Sequence, residues 1–163
     1  MARLLAYGSL MWDNALATYE GDAVRVGGFQ RAFVGQSTDR WGNSEHPCPQ
    51  IGLVEGGECG AVLFRLPSAG RRYLLHNLRQ RERRDLKSIK VQDPAGRRRR
   101  AKVFLPSSSE TVWGDISEVV EALRRARGLA GTGSEYVRTM IHAMELWGIE
   151  DPLISRVWEA VRD

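Results

Sequence analysis

Apolar and polar positions change period in a definite order along the chain. Residues 3–7 (RLLAY) form a short apolar run that stops at Gly8 and Ser9, the pattern of a largely buried strand entering a turn. Residues 24–37 (VRVGGFQRAFVGQS) alternate and carry aromatics, predicting a long strand with a bulge or bend at Gly27 and Gly28. The polar stretch 38–50, with Gly42, Asn43, Pro47 and Pro49, predicts a surface loop. Residues 51–54 and 59–66 then read as two strands joined by a turn at Gly56 and Gly57.

After Pro67 the period lengthens. Ser68 suits a helix N-cap, and Tyr73, Leu74, Leu75 and Leu78 supply an apolar stripe on a helix ending near Glu82. Residues 86–91 and 98–105 flank Asp93-Pro94-Ala95-Gly96, which predicts a hairpin. Three amphipathic helices follow, marked by Ile116, Val119, Val120 and Leu123, by Tyr136, Val137, Met140, Ile141 and Met144, and by Leu153, Ile154, Val157, Trp158 and Val161. Strands first, one interposed helix, a hairpin and then helices define an α+β fold. The expectation is a curved mixed or antiparallel sheet, or partial barrel, with one inserted helix and C-terminal helices.

Composition bounds this picture. The 163 residues fit one domain, 1–163, since single cores commonly close at roughly 100–200 residues. With 42% apolar and 27% charged residues the chain is globular in type, not disordered. No apolar run approaches the roughly 20 residues of a membrane-spanning helix. The N-terminal stretch, with Arg3 and a break at Tyr7-Gly8-Ser9, is too short for a signal peptide. Cys48 and Cys59, ten residues between them, give neither a disulfide framework nor zinc-ligand spacing, so a reducing cytoplasm is the expected setting.

The net charge of +4 is unevenly spread: residues 65–102 hold 14 basic against three acidic side chains. Such a field concentrates anions. It suits a small charged substrate, an acidic protein or nucleic acid, and equally a solvated helix face and hairpin. The run Arg97, Arg98, Arg99 and Arg100 has no interleaved aromatics for base stacking, which argues against nucleic acid. A non-enzymatic protein holding an anion or RNA on residues 97–100 stands as the alternative to an enzyme.

Phosphate-loop, GxGxxG, HExxH and GxSxG motifs are absent, and His46, His76 and His142 are not at ligand spacing, so metal catalysis is not expected. His142 adjoins an apolar helix stripe and reads as a packing residue. Two features could carry chemistry. Tyr7-Gly8-Ser9-Leu10-Met11-Trp12 places a glycine at the end of a buried strand, where successive N–H groups can converge on a carboxylate or oxyanion; an ordinary strand-to-loop turn over a buried Trp12 gives the same pattern. Glu82 is the one carboxylate among Arg79, Arg81, Arg83 and Arg84, either a solvated partner of those arginines or a general base facing a cleft.

On these residues the sequence resembles the ChaC-like γ-glutamylcyclotransferases. YGSLMW after the first strand is similar to the family's substrate-binding signature. Residues 25–33 (RVGGFQRAF), Gln36-Ser37-Thr38-Asp39 with Gly42, Cys59-Gly60-Ala61-Val62 with Arg65-Leu66-Pro67, Leu78 with Arg81-Glu82, Gly133-Ser134-Glu135-Tyr136 and Gly148-Ile149-Glu150-Asp151 continue the likeness in order. Two positions depart from it. Leu86 stands where the glutathione-degrading branch carries a tyrosine, and Gly42-Asn43-Ser44 replaces Gly-Thr-Pro.

The resemblance implies cyclisation of a γ-glutamyl amide, glutathione or another γ-glutamyl amine, to 5-oxoproline with release of the free amine. Removal of a γ-glutamyl protecting group in a biosynthetic pathway is the variant that the departures leave open. It further implies Glu82 as general acid and base, and Tyr7, Gly8, Ser9, Leu10 and Tyr136 as substrate-binding residues, with no cofactor. Tyr7 and Tyr136 are equally explicable as core. Arginines beside Glu82 would depress its pKa and burial would raise it, so they are expected to point outward over a partly dry cleft.

Overall fold

The computed structural model describes residues 1–163. Its elements are β1 (Ala2–Ala6), β2 (Gly21–Ser37), β3 (Cys48–Leu66), α1 (Arg71–Glu82), β4 (Asp85–Gln92), β5 (Arg98–Leu105), α2 (Ile116–Arg125), α3 (Gly133–Trp147) and α4 (Pro152–Arg162). The five strands form one mixed sheet in the order β2-β3-β1-β5-β4, antiparallel except where β1 meets β5. Its far strands, β2 and β4, come back into contact, so the sheet curls into a half-barrel. The end of β2 is covered by the segment after β5: Gly35 N–H donates to Thr111 O at 2.7 Å and Trp113 N–H to Phe33 O at 3.1 Å.

Leu4, Leu5 and Ala6 of β1 are fully buried, as their unbroken apolar run requires of a strand covered on both faces. They lie in a core of 37 buried residues that extends through β3 to the inner stripes of α2, α3 and α4. The three helices begin where a polar side chain takes up a free amide: Asp115 accepts from Glu118 N, Thr132 from Glu135 N, and Asp151 from Leu153 N and Ile154 N ahead of Pro152. α3 stops at Gly148, left-handed at φ 69°, with Ile149 N–H returning to Met144 O at 2.8 Å.

Four expectations change. Residues 51–54 and 59–66 are one 19-residue strand that begins at Cys48, inside the expected loop. Gly56 and Gly57 lie where β2 is interrupted at Gly28, between the pairs Gly27–Glu58 and Phe29–Glu55. Both strands bend there together, and no turn forms. Ser68 does not cap α1: Gly70, left-handed at φ 71°, precedes the helix, and Ser68 offers only its carbonyl, to Arg71 N–H. α1 touches the body along one narrow edge, so Leu78 alone is fully enclosed, Leu74 and Leu75 are half-buried and Tyr73 is 75% exposed. His142 is likewise exposed on α3.

α3 begins hard against α2 at Gly133, where a Cβ would lie 2.3 Å from Leu123 O. A backbone atom cannot rotate aside, so Gly133→Ala must push the helices apart. The expected loss is about 1–3 kcal/mol of stability, measured by urea unfolding.

Candidate active site

Where β1 leaves the sheet, Tyr7 to Leu10 line a cavity of about 630 Å³ together with the end of α1, the last residues of β2 and the loop after it. Gly8 N–H has no acceptor, and the first amides of the 3-10 turn Ser9–Trp12 have none within the turn. The Tyr7–Gly8 peptide is oriented by a buried guanidinium. Arg31 on β2 donates from Nε to Tyr7 O at 2.8 Å and from Nη1 to Asp151 Oδ2 at 3.0 Å. A trans peptide directs its N–H opposite its carbonyl, so the Gly8 N–H points away from Arg31. A Cβ on Gly8 would meet nothing within 4 Å, which is open cavity.

In the same cavity, Glu82 is the last residue of α1. Its carboxylate is half-buried and accepts no hydrogen bond from the protein. Burial raises its pKa above the ordinary carboxylate value, and this outweighs the opposing pull of Arg84 and Arg81. Both arginines have carboxylates of their own. Arg81 pairs with Asp13, and Arg84 Nη2 lies 3.0 Å from Glu110 Oε1.

Arg84 overturns the expectation that these arginines all face outward. Its side chain is 8% exposed. Nη1 donates to Ile51 O at 2.9 Å and to Tyr7 Oη at 3.2 Å, Nη2 to Val34 O at 2.8 Å, and Nε to Glu110 Oε1 at 3.0 Å. Gly35, at φ 92°, makes room for the pair: a Cβ there would fall 2.5 Å from Glu110 Oε1 and 2.8 Å from Arg84 Nη2.

Glu82, Tyr7, Gly8, Ser9, Leu10 and Tyr136 all line this one cavity. The Tyr7 hydroxyl is committed, donating to Phe104 O while accepting from Arg84, and burial pushes its pKa up to about 12, so Tyr7 is a wall with no proton to spare. Tyr136 differs. Its hydroxyl accepts from Ile51 N–H at 3.1 Å and its own proton has no protein acceptor, leaving it available to a ligand. The ring stands between Trp12 and Trp41 at centroid distances of 6.2 and 5.6 Å.

The sequence reading missed Arg84, Glu110, Arg31 and Asp151. One signal was available for Arg31: it is in phase with Phe33 on an alternating strand, and so faces inward. Leu86 and Asn43, the departures from the family pattern, do not line the cavity. Leu86 pairs with Phe104 on β5, and Asn43 shapes its own loop, accepting from Glu45 and His46 amides at 3.0 Å. Arg97 to Arg100 lie outside the cavity on the β4–β5 hairpin, Arg99 held by Asp93 at 2.9 Å. No three His, Cys, Asp or Glu side chains come together as metal ligands do.

A half-buried carboxylate without a hydrogen-bond partner and a run of unsatisfied amides thus share one cavity at the mouth of a half-barrel. Residues 3–163 match the family model for ChaC-like proteins, and the chain belongs to that family. It is 38% identical over 64 residues to the glutathione-specific γ-glutamylcyclotransferase of Escherichia coli K12, a match spanning 39% of this chain and 28% of that enzyme's length. Its fold is similar to that of a yeast γ-glutamyl cyclotransferase specific to glutathione, with a TM-score of 0.87 over 99% of this chain and 95% of the other, at 16% identity. A structure described as γ-glutamyl cyclotransferase aligns with a TM-score of 0.52 over 97% and 98% of the two chains, at 12% identity.

Asp151→Asn keeps the oxygen that caps α4 but removes the charge beside buried Arg31. It is expected to cost about 3–5 kcal/mol, read by urea unfolding at neutral pH. A variant as stable as wild type would show that the pair does not brace the Tyr7–Gly8 peptide.

Proposed function

We propose that the chain is a γ-glutamylcyclotransferase, which converts a γ-glutamyl amide to 5-oxoproline and a free amine. The observation that carries this reading is the unpartnered Glu82 carboxylate in the same cavity as the free amides that begin at Gly8. The substrate's α-amine is largely an ammonium at neutral pH, since α-amino groups ordinarily titrate at about pH 8, so a base must take its proton. Glu82, its pKa raised by burial, is suited to that task. The amine nitrogen attacks the γ-carbonyl carbon, a ring C–N bond forms, and the amide C–N bond breaks. In all, the α-nitrogen gives up two protons, from ammonium to lactam N–H, and the departing nitrogen takes up two and leaves as an ammonium; Glu82 passes them across in turn, so no water or cofactor is consumed.

Attack within one molecule draws most of its advantage from holding the glutamyl chain folded. The amides of Gly8 to Leu10 offer donors to the substrate carboxylate or the developing oxyanion, and such donors contribute about 3–4 kcal/mol each. The Tyr136 hydroxyl supplies a further donor. Glutathione is the first substrate to test, because the bacterial relative and the yeast neighbour are both named for it. Buried, unpaired Cys48 and Cys59 suit a reducing cytoplasm, and no helix is long and apolar enough to cross a membrane.

The test is mass-spectrometric detection of 5-oxoproline from glutathione and a panel of γ-glutamyl amines. Wild type should form it from at least one, and Glu82→Gln should lose that turnover while remaining folded. The variant should be at least as stable as wild type at neutral pH. A carboxyl whose folded pKa is raised loses stability as pH rises through the window above its unfolded value, and Gln removes that penalty. Undiminished turnover in Glu82→Gln would overturn the mechanism.

A further inference from the structure

Arg81 stands next to Glu82 in sequence and lines the same cavity, and its guanidinium has one partner, Asp13. Arg84, by contrast, shares its donors among Glu110, the Tyr7 hydroxyl and two backbone carbonyls. Asp13 is itself fixed by the turn it belongs to. Its N–H donates to Leu10 O at 3.4 Å, its Oδ1 accepts from Ala15 N–H at 2.8 Å, and its carbonyl accepts from Leu16 N–H at 3.0 Å. It therefore closes the 3-10 turn Ser9–Trp12, whose first amides are free, and caps the next turn, Asn14–Leu16. Oδ2 is left for Arg81. One carboxylate thus joins the turn that carries the amides to the end of the helix that carries Glu82. Asp13 does not line the cavity, so it reaches a ligand only through those two groups.

Charge gives the pair a second consequence. Glu82 feels Arg81 from its own helix, Arg84 just beyond it, Arg40 from the loop after β2 and Asp13 from the turn after β1. Three of these are cations, and Asp13 is the anion among them. The cavity-wall tyrosines, Tyr7 after β1 and Tyr136 on α3, are kept neutral by burial, and Glu110 after β5 is engaged with Arg84. Without Asp13, Arg81 would be a free cation beside the base. A carboxylate facing an unanswered guanidinium takes up a proton less readily.

We propose that Asp13 is a positioning residue for the reaction, holding Arg81 off the Glu82 carboxylate and fixing the end of α1 to the turn that carries the free amides. This rests on the cyclotransferase reading above. The pair is partly withdrawn from water, with the Asp13 side chain 11% and the Arg81 side chain 44% exposed, so its charges are felt more strongly than those of a fully solvated pair. Asp13→Asn keeps an oxygen for Ala15 N–H, and with it the turn, while removing the charge that answers Arg81.

The test reads the carbon-13 NMR titration of the Glu82 carboxyl beside the pH profile of 5-oxoproline formation in Asp13→Asn, Arg81→Gln and the double variant. Asp13→Asn should move the Glu82 midpoint down, because an anion is lost and a cation is released. Arg81→Gln should move it up, because a cation is lost and an anion is bared. The double variant should fall between the two, and the acid limb of kcat/KM should follow each midpoint. In Asp13→Asn kcat should also fall about tenfold with KM little changed, since the base is weakened and displaced while the cavity lining is intact. A pair that merely stabilised the fold would not shift its two single variants in opposite directions. Midpoints that stay at the wild-type value or move the same way, or an unchanged kcat in Asp13→Asn, overturn the positioning role and leave the cyclotransferase reading standing. Absence of 5-oxoproline from glutathione and the γ-glutamyl panel with wild-type protein overturns that reading and the role with it.

Discussion

A guanidinium taken out of water must have every donor answered, and Arg84 is where this protein meets that demand. Its acceptors come from β2, β3, the end of β1 and the segment after β5. Each would lose a partner if the others moved, because removing one side of a buried charged pair is far more damaging than the pair itself is stabilising. Arg84 follows Glu82 by two residues, across the left-handed turn at Arg83. The end of a helix that makes few core contacts of its own is thereby tied to the sheet, and the carboxylate at its tip inherits a fixed position.

The opposite wall is braced in the same way. Arg31 and Asp151 join the middle of β2 to the cap of α4, and through the Tyr7 carbonyl they set which way the Gly8 amide faces. Two ion pairs thus hold the two halves of the site, Arg31–Asp151 buried and Arg84–Glu110 in the cavity wall. This arrangement resolves the conflict posed by a base in an arginine-rich segment. The two guanidiniums that pull hardest on Glu82, Arg84 and Arg81, are paired with Glu110 and Asp13, and burial outweighs them in setting the proton affinity of the carboxylate.

Much of the fold was readable from local pattern: the alternation of β2, the hairpin around Asp93-Pro94-Ala95-Gly96 and the three closing helices depend on neighbours in sequence. The continuity of β3 was not, because a Gly-Gly pair reads as a turn until the facing bulge at Gly28 is known. Nor was the exposure of Tyr73, since periodicity identifies a stripe without showing how much of it finds a partner. The site divides along the same line. Gly8 and Glu82 lie in short recognisable contexts, whereas the Arg31–Asp151 pair spans 120 residues and the Arg84–Glu110 pair 26. Charge runs give no hint of which member turns inward.

The proposed reaction depends on Glu82 being a carboxylate of raised proton affinity that moves the substrate's proton. The most direct test is a carbon-13 NMR titration of the Glu82 carboxyl, with Glu82→Gln assigning the resonance. The midpoint should lie above 4.5, the ordinary value for glutamate, and should coincide with the pH below which kcat/KM for 5-oxoproline formation falls. A midpoint at or below that value, or an activity profile indifferent to it, would contradict the central claim.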